Sequence, residues 1–249
     1  MNIVTYNLRQ GGRGDAHFDR IVEQLKPDLL LLQEVIEPVR FSTSARWRVA
    51  WSNAEAKGEK LAWGSAAMSL GPGAIAIDLP QFSGWVSALE LNEFTGPDGN
   101  ARRIRIFSVH APSGAGSYPK VVNSILDTIA PFSADCDVIV GGDFNLTVGA
   151  RHVSEARKTS RADQQVQERL RDEFGLMNCW QAANPDQALP QTLRWAKEPT
   201  FPYHCDGLFV PVSWREHLRA CNVVSGPEWN AFSDHNPVVA EFGKFARTD

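Results

Sequence analysis

The chain has 249 residues, which at about 150 residues per domain means one large domain or two small ones. A chain of that size buries about 70–75% of its unfolded surface and needs no disulfide or metal staple to fold. With 43% hydrophobic and 22% charged residues the composition excludes a disordered chain. A net charge of −4 excludes an all-over basic coat but leaves room for a local basic patch. Cys136, Cys179, Cys205 and Cys221 form no C-x-x-C pair, which argues against a zinc ribbon, a redox motif or a disulfide framework. Reduced thiols and a cytoplasmic location are the plain expectation. The N-terminus turns polar too early for a signal peptide, and no run reaches the ~18 apolar residues of a membrane span.

Residues 2–8 read as a strand, broken by Gln10-Gly11-Gly12-Arg13-Gly14. Asp15 is placed to cap a helix with Phe18, Ile21, Val22 and Leu25 on one face, ended by Pro27. The run Asp28 to Glu34, with four leucines, reads as a strand covered on both faces. Residues 40–63 read as polar and irregular, with Trp47, Trp51 and Trp63. Strands are expected near 64–70, 73–78 and 84–93, and the Gly96-Pro97-Asp98-Gly99 turn joins the last to 102–110 as a hairpin. Val121, Ile125, Leu126 and Ile129 predict a helix ended by Pro131, and 137–142 a buried strand. Residues 149–162 read as a basic loop, 163–174 as a helix, and 205–212, 220–225 and 236–242 as strands. With no repeat or linker, a single domain over 1–249 is expected, built as two packed sheets flanked by helices.

Several of these strands end in polar residues that a core would not select: Asn7, Gln33-Glu34, His110, and Asp143 with Asn145. Ser233-Asp234-His235 directly precedes the last strand. Loops at strand ends are where a rigid scaffold places functional groups. If the ends converge, Asn7, Glu34, His110, Asp143, Asn145, Asp234 and His235 make one cluster. Carboxylates with amide oxygens are hard ligands that suit Mg²⁺ or Mn²⁺ rather than zinc. Glu34 is the first candidate ligand and Asp234 the next. A histidine backed by a carboxylate can serve as base or charge stabiliser. Phosphodiester hydrolysis needs this kit: an oriented water, a cation on the phosphoryl oxygens and a stabilised leaving oxygen. Each residue also has a plain alternative. Glu34 alone is a solvated carboxylate, Gly-Gly-Asp-Phe-Asn a tight turn, Asp234 a turn residue and His110 an ordinary strand end. Their joint occurrence at strand ends favours the functional reading.

The joint pattern of Thr5-Tyr6-Asn7, Leu32-Gln33-Glu34, His110, Gly141-Gly142-Asp143-Phe144-Asn145 and Ser233-Asp234-His235 resembles the endonuclease/exonuclease/phosphatase superfamily. That family includes pancreatic-type deoxyribonucleases, apurinic/apyrimidinic endonucleases, neutral sphingomyelinases and inositol polyphosphate 5-phosphatases. The resemblance spans residues 2 to about 242, and its two strongest motifs lie about 90 residues apart. It implies a four-layer α/β sandwich of two packed mixed β-sheets flanked by helices, with the site at the top. It implies that Asn7 and Glu34 hold the metal, with Asp234 a further ligand or an electrostatic partner. Asp143 would orient or deprotonate the attacking water and Asn145 hold a phosphate oxygen. His235 would stabilise or protonate the phosphoryl centre, backed by Asp206 of the Cys205-Asp206-Gly207-Leu208-Phe209-Val210 strand. His110 would lie near the leaving oxygen.

The sequence departs from the family pattern in three places. Gly207 replaces an aromatic or Arg, and Ser65 replaces an Asn in Trp63-Gly64-Ser65-Ala66-Ala67-Met68-Ser69. Arg9 stands where abasic-site enzymes carry Asp, so Asn7-x-Arg9 resembles the pancreatic-type deoxyribonucleases and offers a bidentate phosphate contact. Residues 151–161 hold Arg151, Arg157, Lys158 and Arg161 against Glu155, a local +3. Arg157, Lys158 and Arg161 are candidates to contact flanking phosphates, with a solvated loop as the alternative. Arg102, Arg103 and Arg105 read as the solvated side of a strand, and the tryptophans chiefly as core.

The expected function is therefore a Mg²⁺- or Mn²⁺-dependent phosphodiester hydrolase. A nuclease cleaving DNA or RNA by in-line attack of water leads. A phosphatase or phosphodiesterase for a small ester or phospholipid headgroup, and an inactive binding module of the same fold, are the alternatives. The expected partner is a phosphodiester, first of all nucleic acid, with no membrane span and no obligate protein partner.

Overall fold

The four-leucine run lies beside the N-terminal strand, and alternate side chains of each go to opposite faces. Ile3 pairs with Leu29 and Val4 with Leu30 in parallel register. Ile3, Leu29 and Leu31 enter the core between the two sheets, while Val4, Leu30 and Leu32 pack outward beneath a helix. This is the two-residue period of a strand covered on both faces.

The computed structural model describes residues 1–71, 73–114, 116–152, 155 and 158–243. Its strands in chain order are β1 (Asn2–Gly11), β2 (Leu29–Val35), β3 (Trp47–Trp51), β4 (Glu55–Ala56), β5 (Glu59–Lys60), β6 (Gly64–Leu70) and β7 (Ala74–Ile77). They continue as β8 (Val86–Thr95), β9 (Ala101–His110), β10 (Asp137–Asp143), β11 (Leu176–Asn178), β12 (Asp206–Pro211), β13 (Leu218–Val223) and β14 (Val238–Phe242). One mixed sheet has the order β13-β14-β1-β2-β6-β3, the other β11-β12-β10-β9-β8-β7, and β4-β5 is a separate small hairpin. Each large sheet holds one parallel pair, β1 with β2 and β10 with β9. Each of those pairs needs a crossover, supplied by residues 15–25 and by the helix Tyr118–Ile129.

The sheets meet through Ile3, Leu31 and Ala67 on one side and Leu89, Ile106 and Leu208 on the other. The outer face of the second sheet carries the helices Tyr118–Ile129 and Arg161–Asp172 through Val122, Leu126, Val166 and Leu170. The outer face of the first carries Phe18, Ile21 and Leu25. The result is the expected four-layer α/β sandwich.

Several elements differ in detail. The stretch 40–63 holds β3, which pairs antiparallel with β6. Its burial does not alternate strictly, so the two-residue signal is lost. Residues Val39–Ser42 form a short helix. Asp15 is the first residue of its helix, behind Gly14, and makes no capping bond; the helix passes into a π-turn over Ile21–Leu25. β1 runs on to Gly11, through left-handed Arg9 and Gln10. The later helix begins at Arg161, where the Ser160 hydroxyl accepts from the Asp163 amide. The four cysteines are free thiols, as expected. No described helix is long and apolar enough to cross a membrane.

Candidate active site

The parallel pairs bring the C-terminal ends of β1, β2, β9 and β10 to one edge of the sandwich. There Asp143 is register partner of both His110 and Asp206. The close approach of β9 and β10 depends on Gly142. Its φ is +155°, and a Cβ there would lie 1.8 Å from the Val109 carbonyl oxygen. Gly207, its antiparallel partner, is held small by Val148, whose methyl would lie 3.0 Å from an added Cβ. That accounts for one departure from the family pattern.

Asn7 is fully buried. Its Nδ2 donates to Glu34 Oε1 at 3.1 Å and to Asp143 Oδ2 at 3.0 Å. Its Oδ1 accepts from the Arg9 amide, and Glu34 Oε2 accepts from the Gln10 amide at 2.7 Å. Asp143 is 1% exposed. Its Oδ1 accepts from the Asn145 amide, while Asn145 Nδ2 donates to the Ala111 carbonyl. His110 Nε2 stands 3.6 Å from Glu34 Oε1 and 3.8 Å from Asp143 Oδ2. His235 Nδ1 lies 3.0 Å from Asp206 Oδ2, and its Nε2 3.8 Å from Asp143 Oδ2. Four of the eight non-glycine residues with positive φ among the described residues are Arg9, Gln10, Glu34 and Asn145. Backbone strain is thus concentrated here, as at functional sites generally.

The electrostatics follow from burial and charge. Burial lowers the His110 imidazole to about 4, so it is neutral. Burial would also depress His235, but the carboxylates of Asp206 and Asp143 overcome it and hold this imidazole up to about 10. It is an imidazolium at neutral pH. Burial first, then the nearby Asp206, raises Asp143 above the usual carboxylate range and strengthens it as a proton acceptor. The site thus pairs a donor that is charged at neutral pH with a basic carboxylate.

Asn7, Glu34, His110, Asp143, Asn145, Asp206 and His235 come together in this way. Asp234 pairs with Arg9, 3.4 Å from its Nε, with both side chains partly exposed. Two cations of the basic loop have acidic partners. Arg151 is buried and paired with Glu155, and its guanidinium covers Phe201. Arg161 turns along its helix to Glu168 at 2.6 Å. Lys158 is exposed, and Arg157 lies outside the described residues. Arg102 and Arg105, expected on a solvated strand face, are held in ion pairs with Asp137 and Glu90.

Several supporting residues were not among the expected site residues. The Ser233 hydroxyl donates to the Asn7 carbonyl and accepts from the His235 amide, locking the two ends of the site together. Buried Gln33 donates to Ser108 Oγ at 3.0 Å, and Ser108 donates to the Leu32 carbonyl, a polar tie between the sheets. Trp63 and Trp85 wall His110 at 5.7 and 5.3 Å between ring centres. Ser65 donates to the Trp85 carbonyl and so serves that wall. A cavity of about 400 Å³ opens beside Asn145, lined also by Tyr118, Leu193, Trp195, Tyr203 and Cys205. One ligand atom from each of Asp143, Cys205, Asp206 and His235 falls within 4.8 Å of the others, a group able to hold a metal ion.

No protein-family model matches the chain. Over 139 residues, 56% of the chain, it is 23% identical to an uncharacterized 149 kDa protein of transposon TX1 from Xenopus laevis, of which the match spans 10%. Among solved structures it is similar to an AP endonuclease from Archaeoglobus fulgidus, with a TM-score of 0.68, 16% identity and coverage of 97% of this chain and 99% of that one. It is similar to the 3′ phosphatase NExo from Neisseria bound to a product DNA hairpin, with a TM-score of 0.67, 18% identity and coverage of 98% and 99%. It is also similar to the endonuclease domain of TRAS1, a telomere-specific non-LTR retrotransposon, with a TM-score of 0.63, 16% identity and 97% coverage of both. These likenesses show the fold that the chain shares with those proteins.

Proposed function

We propose that this chain, with its endonuclease/exonuclease/phosphatase fold, is a divalent-metal-dependent phosphodiester hydrolase and that its substrate is a nucleic acid. The observation that carries the reading is the His235–Asp206 pair aimed at Asp143, with His235 Nε2 only 3.8 Å from Asp143 Oδ2. Asp143 takes the proton of the attacking water and aims it in line at phosphorus. The Asn145 side chain, beside Asp143, turns from the Ala111 carbonyl to donate to a phosphoryl oxygen. His235, kept charged by Asp206, faces the charge that develops in the transition state and supplies a proton to the oxygen that receives it. His110, neutral and walled by Trp63 and Trp85, donates a hydrogen bond near the leaving oxygen. Arg9, paired with Asp234, is placed to meet an adjoining phosphate.

The donor set fits a hard cation. The Glu34 carboxylate beside that of Asp143, bridged by the Asn7 amide, offers oxygen ligands. Asn7 fits once its amide turns, since Nδ2 now faces both carboxylates. Mg²⁺ or Mn²⁺ held by Glu34 and Asn7 would neutralise phosphoryl oxygens and ease departure of the leaving oxygen. A nucleic-acid substrate is favoured because the neighbours in fold include an AP endonuclease and a 3′ phosphatase bound to a DNA hairpin.

The test is a hydrolysis screen with Mg²⁺, Mn²⁺ and EDTA. Plasmid DNA, single-stranded DNA, RNA and an abasic-site oligonucleotide are set beside a generic phosphodiester and inositol phosphates. Metal-dependent cleavage of a polymer, lost in His235→Ala, is expected. Turnover of small esters alone would replace the nuclease with a phosphatase. No metal-dependent turnover on any substrate would overturn the reading.

A further inference from the structure

The buried group around His235 contains one member that the hydrolytic chemistry does not use. Cys205 is 5% exposed. Its Sγ lies 3.5 Å from Asp206 Oδ2, and it accepts from the Thr192 hydroxyl at 3.9 Å. With His235, Asp206 and Asp143 it offers one sulfur, one imidazole nitrogen and two carboxylate oxygens, all within 4.8 Å of one another. Thiolate and imidazole ligands select zinc and its neighbours, whereas Mg²⁺ takes oxygen ligands. The chemistry of this donor set therefore differs from that of the Glu34 and Asn7 pair.

We propose that Asp143, Cys205, Asp206 and His235 form a second cation site, for a divalent ion of the zinc class, whose occupation switches the enzyme off. Four protein ligands complete a tetrahedron and leave no open position, so the site is closed rather than catalytic. Ligands at 2.0–2.3 Å define edges of about 3.3–3.8 Å, so the widest separations must contract by about 1 Å. The cavity of about 400 Å³ lined by Cys205 and Asn145 gives the ion a way in. On binding, the S–H bond of Cys205 breaks and a sulfur–metal bond forms. The thiol proton and the proton on the ligating imidazole nitrogen pass to solvent, and no electron changes hands. The bound ion engages the proton acceptor, the imidazole and its carboxylate together, so Mg²⁺-supported turnover stops. That the ion inhibits rests on the hydrolase reading; that it binds does not.

Metal-free protein is titrated with Co²⁺ as a spectroscopic stand-in and with Zn²⁺ by competition calorimetry, alongside Cys205→Ala and the size-matched Cys205→Ser. Tetrahedral cobalt bands with a thiolate-to-cobalt charge-transfer band are expected in the unaltered protein. The charge-transfer band should be absent from both variants, whose Zn²⁺ affinity should fall at least ~10–100-fold, the loss that even an outer-shell change produces. With Mg²⁺ present, Zn²⁺ should suppress hydrolysis by the unaltered chain and spare the variants, whose basal rates stay the same. No charge-transfer band in the unaltered protein, or equal Zn²⁺ affinity in either folded variant, would refute the site whatever the enzyme does. A Cys205-dependent band with hydrolysis untouched by Zn²⁺ would keep the site and refute the inhibition. A Cys205-dependent band in a chain that hydrolyses nothing with Mg²⁺ would support the site, refute the inhibitory role and count against the proposed function.

Discussion

Replacing Asp206 by Asn tests the charge logic of the site with almost no change of shape. A free imidazole titrates near 6.5, and His235 is held to about 10. At 1.36 kcal/mol for each tenfold, that difference is about 5 kcal/mol in favour of the imidazolium. It persists although burial acts against it, and Asp206 is the nearest carboxylate, opposing that burial by both charge and hydrogen bond. Loss of that support should lower kcat by about 100-fold, the low end of what a positioned acid or base contributes. KM should change little, since the imidazolium counts chiefly in the transition state. The sign of the pH effect is fixed as well. In the unaltered enzyme the charged His235 survives until the pH approaches about 10, so the alkaline limb of kcat lies there. In Asp206→Asn the imidazolium loses its support and the limb moves down toward neutrality. The assay is kcat and KM for the best substrate from pH 6 to 10.5, with circular dichroism confirming the fold at each pH. A folded variant within about threefold of the unaltered rate, with its alkaline limb unmoved, would refute the reasoning.

Three further outcomes are expected. Glu34→Gln removes the charge that holds the hard cation, so the Mg²⁺ concentration for half-maximal rate should rise at least ~10-fold; an unchanged metal titration would exclude Glu34 as a ligand. Gly142→Ala places a methyl 1.8 Å from the Val109 carbonyl oxygen. It should destabilise the fold by several kcal/mol or prevent folding, read as Tm and soluble yield, and a Tm within a few degrees of the parent would contradict the packing argument. His17 is buried against Phe232, and burial lowers its imidazole to about 4. The unfolded chain therefore binds a proton that the folded chain refuses, and stability present above pH 6.5 is lost as the pH falls toward 4. His17→Phe should remove ~3 kcal/mol of that acid-induced loss in urea titrations; the same acid slope in parent and variant would show that His17 does not cause it.

Much of the fold was legible along the chain because strands announce themselves locally. The Leu29–Leu32 run and the strand before Asp143 are continuous apolar stretches, and the 84–110 hairpin carries its turn chemistry in its own residues. The candidate site was legible for a related reason: a core strand has no use for Asn7, Glu34, His110 or Asp143 at its end, so each stands out against its apolar neighbours. β3 was missed because its burial breaks the alternation. The partners of the loop's charges were not legible along the chain: the Arg151 side chain is buried against Glu155, and Arg161 lies along its helix against Glu168.

What the amino-acid sequence determined alone is most of the elements and the kinds of chemical group at their ends. Those follow from side-chain period, turn residues and polarity, all properties of neighbours in the chain. Only the tertiary structure decided which groups meet. Ser233 ties itself to Asn7 across 226 positions, and Gln33 reaches Ser108 across 75. Cys205, read in the sequence only as a reduced thiol, joins His235 and Asp143 in one buried group. Such contacts, and the charge states they impose on His110 and His235, depend on sheet register and on exclusion of water. Both arise only when two sheets close on a common core.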